Sequence, residues 1–397
     1  MQPSPDRPSP RDRSPTVGIV GAGQLAYLLC REAASLNLST LVVAREAHEP
    51  AVGAGDGALV GDYEDPGLIE QLINGSDIVT FDQEAIPRAM LDALEAAEQE
   101  GRVQVRPGTR VMRLLQNKAT QKAWLAEAGL PTLPCLQMSG EEPDLDARVS
   151  AFGFPCVQKA QQGGYDGRGV QILARAGDLD SLWRIPSLLE PCLTEMTEIA
   201  VLAVRTPGGE TACYPPVAMR FVDELNILSH VVSPTGLPEK VEHEAQELAV
   251  NAIDALDGIG LFSIEMFFTP TGKLLINEIS PRVHNAGHHT LEACRTSQFE
   301  QHLRAVTGLP LGPIDSAKAV VMHNLLYTPA LKGLQGLGPG KLPQPAKNVH
   351  AWWYGKREAR AWRKVGHVTA IADDLAAAHG QIEQTVAYLT RGTASVA

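Results

Sequence analysis

Short apolar runs alternate with amphipathic stretches in the first part of the chain. Apolar residues fill positions 17–20, 40–43 and 78–81, and the segments between them carry apolar residues at helical spacing. Strands buried in a parallel sheet are nearly continuous apolar runs, and crossover helices separate them. The pattern therefore predicts a doubly wound, Rossmann-like α/β domain at residues 16–117.

A different pattern follows residue 117. A helical stretch stops at Gly129, where Pro131 and Pro134 prevent its continuation. Four β-rich runs and one further helical run come next, at residues 155–159, 198–205, 260–268, 273–279 and 296–307. We therefore expect an α+β domain at 118–311. A Gly- and Pro-rich stretch at 333–345 is typical of a linker, and we assign 312–397 to a small, β-rich C-terminal domain.

Composition limits the possible partners. The 397 residues contain 34 Lys and Arg against 46 Asp and Glu, a net charge of −12, which argues against nucleic-acid and anionic-membrane binding. No apolar run reaches the roughly 18 residues of a membrane span. The six cysteines are widely spaced and form no CxxC pair, as in a reducing cytoplasm. Residues 1–15, rich in Pro, Ser and Arg, predict a disordered tail.

A glycine turn at residues 21–26 follows the first predicted strand. Its sequence fits GxGxxA, where backbone N–H groups and the following helix favour a phosphate. A dinucleotide site also requires an acidic residue about 20 positions further on, and the segment 44–46, Ala-Arg-Glu, is ambiguous. A phosphate-facing turn and a turn needed only for close packing both remain open.

Lys159 ends a predicted strand and precedes four glycines within residues 163–169. Such a loop can fold over a triphosphate and present N–H groups, while the lysine contributes a point charge. It is not a Walker loop, because GxxxxGK[ST] is absent. An ordinary glycine-rich hairpin is the alternative, although Tyr165, Asp166 and Arg168 add polar groups that a hairpin does not require.

Two glutamates lie on strands joined by a predicted hairpin at 269–272. A symmetric register would place Glu265 opposite Ile276, with Glu278 one diagonal step away on the same face. Two carboxylates and the amide of Asn277 would suit Mg²⁺, which prefers oxygen ligands. The alternative is a pair of solvent-facing strand glutamates.

The segment 280–289 crowds one Arg, three His and one Asn into ten residues. An anion-holding loop beside Mg²⁺ accounts for Arg282. A zinc site is the alternative, although no cysteine is adjacent.

In this order the motifs resemble the ATP-grasp superfamily, and most closely its N5-carboxyaminoimidazole ribonucleotide synthetase family, the ATPase subunits of phosphoribosylaminoimidazole carboxylase. The resemblance spans about residues 17–369. Its motifs lie at 21–25, 80–87, 116–122, 164–169, 277–288, 296–305, 354–356 and 363–367. The last three are the most specific for this family.

The resemblance implies an ATP-grasp domain between an N-terminal pre-ATP-grasp domain and a C-terminal domain that completes the substrate site. It implies ATP- and bicarbonate-dependent carboxylation of 5-aminoimidazole ribonucleotide through carboxyphosphate, in purine biosynthesis. ATP and Mg²⁺ are the implied cofactors, and a homodimer coupled to a mutase that takes the product is the implied assembly. Another ATP-grasp ligase, such as formate-dependent glycinamide ribonucleotide transformylase, and a non-catalytic nucleotide-binding homologue remain alternatives.

The resemblance also assigns residues. The implied ATP contacts are Lys118, Lys159, the loop residues Gly164, Tyr165, Asp166, Gly167, Arg168 and Gly169, then Glu190 and Leu193 at the adenine, Glu198 at the ribose, and Asn277 and Glu278. Mg²⁺ is implied at Glu265 and Glu278, and bicarbonate or carboxyphosphate at Arg282, His284 and Asn285. Tyr165, Asp166 and Arg168 are implied at the imidazole nucleotide. Its phosphate is implied at Lys356, Arg363 and Lys364, with the turn Gln24 and Leu25. The chain departs from the family pattern at Gln161, Gln162, Phe221 and Ala286, which leaves substrate affinity open.

Overall fold

The computed structural model describes residues 14–164, 169–222, 225–343, 346–357 and 360–391. The N-terminal segment assigned to a tail lies outside these ranges except for its last two residues. Within the described part of the chain, no helix is long and apolar enough to cross a membrane.

The first domain contains one parallel sheet with the strand order β3-β2-β1-β4-β5. Its elements are β1 (Thr16–Val20), α1 (Gln24–Ser35), β2 (Ser39–Ala44), β3 (Gly57–Val60), α2 (Pro66–Gly75), β4 (Ile78–Phe81), α3 (Arg88–Gln99) and β5 (Gln104–Val105). The predicted doubly wound fold is confirmed. Because the strand order reverses at β1, the carboxyl ends of β1 and β4 border a crevice of the kind that binds ligands in such sheets.

Two helices lead out of this domain, α4 (Thr109–Leu115) and α5 (Lys118–Glu127). Asn117 begins α5, because its side-chain oxygen accepts hydrogen bonds from Ala119 N at 2.8 Å and Thr120 N at 3.2 Å. Gly129 has a φ of 69° just after the helix, as the sequence predicted from a glycine stop. The cap places Lys118 in the first turn of α5.

A small antiparallel sheet follows, with the order β6-β9-β7-β8. Its strands are β6 (Leu136–Met138), β7 (Cys156–Ala160), β8 (Val170–Leu173) and β9 (Ser187–Pro191). The helix α6 (Leu145–Phe152) lies between β6 and β7 in the sequence. Lys159 pairs with Leu188 and Val157 with Glu190, so Lys159 and Glu190 lie on neighbouring strands. This sheet carries the glycine loop between β7 and β8.

A ten-stranded sheet forms the rest of the molecule, with the order β15-β14-β10-β12-β13-β16-β19-β18-β17 and β11 beside β10. Its strands are β10 (Thr197–Arg205), β11 (Thr211–Cys213), β12 (Val217–Val222), β13 (Ile227–Ser233), β14 (Gly260–Phe268), β15 (Leu274–Ser280), β16 (Ala319–Leu326), β17 (Gly340–Lys341), β18 (Val349–Trp353) and β19 (Lys364–Ala372). The helices are α7 (Glu239–Leu256), α8 (Thr290–Ala293), α9 (Gln298–Thr307) and α10 (Leu375–Arg391). Because β13 pairs with β16, one sheet runs from the ATP-grasp region into the C-terminal region.

The two faces of strands β10, β14 and β15 differ in chemistry. Side chains that pack with α7 are apolar and buried, including Ile199, Met266 and Ile276. Alternate positions carry Glu198 and Glu265, because successive strand residues point to opposite faces. The mixed α/β and α+β fold predicted from the sequence is confirmed, and the polar face of this sheet is where the candidate site lies.

Candidate active site

Two lysines from different elements meet at the end of β15. Lys159 Nζ donates a hydrogen bond to Asn277 Oδ1 at 2.8 Å, and Lys118 Nζ forms an ion pair with Glu278. The side chains of Lys118 and Lys159 are only 15% and 14% exposed. Together with Gln121, Lys122 and Leu188, these residues line a small cavity between the two sheets. The structure thus brings together the lysines that the resemblance implied for ATP phosphates.

Glu190 lies between two lysines beside this cavity. Its Oε1 is 2.6 Å from Lys122 Nζ, its Oε2 is 2.6 Å from Lys159 Nζ, and its side chain is 1% exposed. Burial alone would raise the pKa of Glu190, but Lys159 and Lys122 outweigh it and the pKa is lowered. Lys122 also donates to Thr132 Oγ1 at 2.7 Å. The sequence analysis did not assign Lys122 to the site, although Lys122 belongs to the 116–122 motif.

Leu193 follows the end of β9 and is half-buried.

The register of the β14–β15 hairpin differs from the predicted one. Met266, not Glu265, lies opposite Ile276, and a bulge shifts the register so that Glu265 lies directly opposite Glu278. Asn277 is the extra residue of β15 at this bulge. The prediction of a diagonal pair was wrong because the sequence pattern does not show a bulge. Direct opposition brings the two carboxylates closer than the diagonal arrangement would.

The electrostatics of this face favour a bound cation. Burial raises the pKa of Glu265 to about 7, and the neighbouring charges of Glu278 and Glu198 add to the rise. Burial also raises the pKa of Glu198 to about 7. For Glu278, burial acts in the same direction, but Lys118 outweighs it and lowers the pKa. Crowded, desolvated carboxylate oxygens beside the amide oxygen of Asn277 are donors that suit Mg²⁺.

Arg282 follows β15 and reaches the first domain. Its Nη2 lies 2.8 Å and 2.9 Å from the two carboxylate oxygens of Glu84, and its Nη1 donates to Val283 O at 3.0 Å. Glu84 comes just after β4, so this pair joins the crevice of the first sheet to the end of β15. Glu84 was missed as a site residue, and its only signal in the sequence was the 80–87 motif.

His284 and Asn285 continue the same segment but face different neighbours. His284 Nε2 is 3.5 Å from Glu265 Oε1, beside the carboxylate pair. Asn285 exchanges two hydrogen bonds with Asn324, at 2.9 Å and 2.7 Å, and is 8% exposed. The Asn285 amide thus binds β16 through its oxygen and one N–H, whereas His284 lies beside the carboxylate pair.

The zinc alternative finds no support in the described residues. His288 is fully buried and its Nδ1 lies 3.4 Å from Gln298 Nε2, while His289 Nδ1 lies 3.0 Å from Ala286 O. No group of three or more His, Cys, Asp or Glu side chains in the described ranges could hold a metal ion.

The glycine turn at the end of β1 packs on a carboxylate of β4. Gly23 N donates to Asp82 Oδ2 at 3.0 Å, and a Cβ at Gly21, where φ is 114°, would lie 1.5 Å from Asp82 Oδ1. Burial raises the pKa of Asp82 to about 6, although the Gly23 amide and Arg282 oppose it. Close packing thus explains Gly21, and Gln24 and Leu25 begin α1 beside it.

In the C-terminal region, the side chain of Lys356 contacts the backbone of Lys364. Lys356 Nζ donates to Lys364 O at 2.9 Å and lies 5.5 Å from the centre of the Tyr354 ring. Tyr354 OH is hydrogen-bonded to His367 Nδ1 at 2.8 Å. Tyr354 shares one apolar cluster with Leu25 of α1. Arg363 precedes Lys364, and its carbonyl accepts from Tyr327 N at 2.9 Å.

The base of the glycine loop is closed between β7 and β8. Ala160 N donates to Gly169 O at 2.8 Å, and a Cβ at Gly169 would lie 3.0 Å from Gly164 Cα. Tyr165, Asp166, Gly167 and Arg168 lie outside the described residues.

The departures from the family pattern have structural partners. Gln161 O accepts from Lys118 N at 2.9 Å, so Gln161 ties the glycine loop to α5, while Gln162 is exposed. Phe221 packs against an apolar cluster that contains Ala286. Phe221 and Ala286 thus belong to one apolar packing region.

Three family models match successive parts of the chain. They are a ribonucleotide synthetase preATP-grasp domain at residues 15–116, an ATP-grasp domain at 123–299 and a phosphoribosylaminoimidazole carboxylase C-terminal domain at 320–381. The N5-carboxyaminoimidazole ribonucleotide synthase of Brucella melitensis is 34% identical over 362 residues, which cover 90% of this chain and 96% of the relative.

Solved structures match nearly the whole chain. A carboxyaminoimidazole ribonucleotide synthase from Aspergillus clavatus, complexed with ATP, matches with a TM-score of 0.85 and 30% identity, covering 95% of this chain and 99% of its own. An N5-carboxyaminoimidazole synthase from the same organism, in complex with ADP and 5-aminoimidazole ribonucleotide, matches with a TM-score of 0.82 and 28% identity, with the same coverage.

Proposed function

The chain belongs to the N5-carboxyaminoimidazole ribonucleotide synthase family of ATP-grasp ligases, and on that premise we propose how its residues carry out the family's reaction. The reaction is the ATP- and bicarbonate-dependent carboxylation of 5-aminoimidazole ribonucleotide in purine biosynthesis. The observation that carries the residue assignment is the meeting of Lys118, Lys159 and Asn277 with the opposed pair Glu265 and Glu278.

The phosphates of ATP would replace the present partners of the two lysines. Lys118 is paired with Glu278, and Lys159 with Asn277 and Glu190, so both ammonium groups are already desolvated beside oxygen acceptors. Phosphate oxygens would replace these acceptors, and the loop 164–169 would fold over them with its N–H groups. The backbone at Glu190 and Leu193 would contact the adenine, and Glu198 the ribose hydroxyls.

We propose that Glu265 and Glu278, with Asn277, hold Mg²⁺. When bound, the ion would neutralise charge on the phosphates and orient them for transfer. The crowding that raises the pKa of Glu265 supports this assignment, because a divalent cation relieves the repulsion between the carboxylates.

The anion site would be formed by Arg282, His284 and Asn285. Arg282 is held in a fixed orientation by Glu84, and Asn285 fixes its loop through Asn324. A bicarbonate oxygen would attack the γ-phosphorus of ATP as the bond to ADP breaks, which gives carboxyphosphate. The exocyclic amine would then attack the carboxyl carbon as phosphate leaves with the C–O bond electrons, or attack CO₂ released in that way, and the amine proton would pass to phosphate. Positioning and charge neutralisation account for such transfer without a strong general base.

The nucleotide phosphate would lie at the C-terminal cations. The Lys356 ammonium donates to the backbone carbonyl of Lys364, which follows Arg363, and the apolar cluster that Tyr354 shares with Leu25 supports a site between this region and the α1 turn. Amides of Gln24 and Leu25 would complete this phosphate site. Tyr165, Asp166 and Arg168 are proposed to contact the imidazole.

We further propose a division into residues 16–117, 118–311 and 312–397, after a tail at 1–15. The enzyme is proposed to act in the cytoplasm as a homodimer, with its unstable product taken over by the mutase of the same pathway.

ADP release tests the assignment. Bicarbonate with 5-aminoimidazole ribonucleotide should release ADP many times faster than either compound alone. Equal release with formate and glycinamide ribonucleotide would indicate the transformylase instead, and no nucleotide-dependent turnover would indicate a binding protein. A titration with NAD should show no binding.

A further inference from the structure

Three glutamine side chains each hold the N–H and the C=O of a single residue. Gln121 accepts from Ile279 N at 2.8 Å and donates to Ile279 O at 3.2 Å. Gln298 accepts from His284 N at 2.9 Å and donates to His284 O at 2.7 Å. Gln301 accepts from Gly312 N at 2.8 Å and donates to Gly312 O at 2.9 Å. In each case the amide acts as a one-residue strand, and we refer to the three as glutamine clamps.

The first two clamps hold the two ends of one short segment. Gln121 binds the backbone of Ile279, the residue after Glu278, and Gln298 binds the backbone of His284. The segment 278–284 is therefore held next to its first residue and at its last. This segment contains the proposed metal ligand Glu278, the guanidinium of Arg282 and the imidazole of His284. The third clamp holds Gly312, which lies outside this segment. Its glutamine, Gln301, belongs to the same helix as Gln298, α9.

The Gln121 clamp has a clear physical cause. Among the described residues β15 is an edge strand of the large sheet, and beyond it only an isolated bridge joins Ile276 to Thr132. Pro131 O accepts from Ile276 N at 2.7 Å, and Gln121 takes the next outward pair, at Ile279. The two contacts flank the bulge that places Glu278 opposite Glu265. Satisfying the edge on both sides of the bulge stabilises this register over the regular one.

The Gln298 clamp depends on a glycine. A Cβ at Gly287 would lie 2.4 Å from Gln298 Oε1, so only glycine at this position allows the amide to reach His284. Gln298 is fully buried, and its own N–H donates to Thr290 Oγ1 at 2.9 Å. The clamp therefore sets the direction in which His284 leaves the backbone, towards Glu265 at 3.5 Å.

We propose that Gln121 and Gln298 are positioning residues of the active site, with separate tasks: Gln121 holds the register that places Glu278 at the metal, and Gln298 holds His284 at the bicarbonate. Neither side chain contacts the reacting atoms. The proposal rests on the proposed function for the identity of the two ligands, but the geometry of the clamps stands independently of it.

Three matched substitutions separate the tasks. Gln121→Leu removes the hold on Ile279, so the half-saturating Mg²⁺ concentration should rise about 10-fold or more. Gln298→Leu should raise KM for bicarbonate by a similar factor and leave the Mg²⁺ requirement unchanged. Gln301→Leu loses the same two hydrogen bonds at Gly312, so it should lower the unfolding temperature like the others and change neither kinetic constant.

A readout without turnover distinguishes this proposal from the proposed function. Titration of Mn²⁺ into the ADP-bound protein, followed by electron paramagnetic resonance, should show weakened binding for Gln121→Leu only. If wild type shows no carboxylation but Mn²⁺ binding still weakens, the function fails and the Gln121 clamp stands.

Two results would overturn the proposal. One is wild-type Mn²⁺ binding in Gln121→Leu. The other is a Gln301→Leu variant that loses Mg²⁺ or bicarbonate affinity as much as the site variants, since the effect would then follow stability alone. If a leucine variant does not fold, Gln121→Glu and Gln298→Glu replace it. They keep the acceptor for the N–H, place an oxygen against the C=O, and should give the same separation of constants.

Discussion

Thr80 Oγ1 and His302 Nε2 are joined by a 2.8 Å hydrogen bond across the buried contact between the first sheet and the large sheet. His302 Nδ1 accepts from Leu261 N at 3.1 Å, so the ring proton must be on Nε2 and is donated to Thr80. Burial lowers the pKa of His302 to about 4, which keeps the ring neutral. One imidazole of α9 therefore connects β4 with β14.

The His302 connection predicts a graded loss of stability. His302→Leu leaves the Leu261 N–H and the Thr80 hydroxyl buried without partners, and should cost about 2 kcal/mol or more of unfolding free energy. Thr80→Val removes one partner and should cost about half as much. Urea denaturation measures both, with His243→Leu, whose ring is 71% exposed, as a control expected to change little. Equal stability of His302→Leu and wild type would contradict the connection.

Removing the charge of Glu278 should strongly reduce turnover while leaving the fold intact. Glu278→Gln deprives Mg²⁺ of one carboxylate and leaves Lys118 without its anion, so kcat should fall by roughly 10² to 10³-fold. Steady-state ADP release and the circular dichroism spectrum measure the two effects. Glu127→Gln, on the exposed end of α5, should match wild type. An active Glu278→Gln enzyme would remove the metal assignment.

The Glu84–Arg282 pair predicts a specific loss in bicarbonate use. Glu84→Gln keeps one acceptor oxygen, so Arg282 Nη2 loses one of its two contacts with this side chain. The guanidinium then loses its fixed orientation. KM for bicarbonate should rise about 10-fold and stability should fall by about 1 to 2 kcal/mol. Glu64→Gln, an exposed position in the same domain, is the control. A lower KM would mean that Glu84 competes with the anion and does not position Arg282.

Local patterns predicted some of the elements and part of the site. The apolar runs predicted three strands of the first domain, β1, β2 and β4, but not β3 or β5, and the hairpin of β14 and β15 predicted two carboxylates on one face. Both depend on residues near each other in sequence. The glycines after Lys159 predicted a phosphate-binding lysine there, whereas Lys118 was implied only by the family resemblance.

The missed features depend on contacts between distant residues. The register failed because the bulge at Asn277 is stabilised from outside the hairpin, at Ile279 by Gln121, 158 positions away. The Glu84–Arg282 pair spans 198 positions, and the buried pair Lys122 and Glu190 also joins separate elements. Likewise, the pairing of β13 with β16 continues one sheet across the proposed boundary at residue 312, which composition cannot show.

A histidine cluster on β13, β16 and α10 predicts sensitivity to acid. His230 Nε2 lies 2.9 Å from His323 Nδ1, and the His379 ring lies 5.8 Å from that of His230. Ser229 Oγ contacts His230 Nδ1 at 2.8 Å, and Arg220 is paired with His230 across the strands. Burial and the neighbouring rings lower the pKa of His230 to about 4 and that of His323 to about 3.

Both pKa values are lower in the folded protein than the usual value near 6.5, so the unfolded chain binds more protons as the pH falls below 6.5. The unfolding free energy should therefore be unaffected by these groups above about pH 7 and should decrease steadily from pH 6.5 to about 4. Urea midpoints measured at intervals across this range test the sign. His323→Gln removes one titrating ring and should reduce the slope by up to about 1.4 kcal/mol per pH unit. An unchanged slope would show that the acid sensitivity comes from other buried histidines, because His323 would then not resist protonation in the folded state.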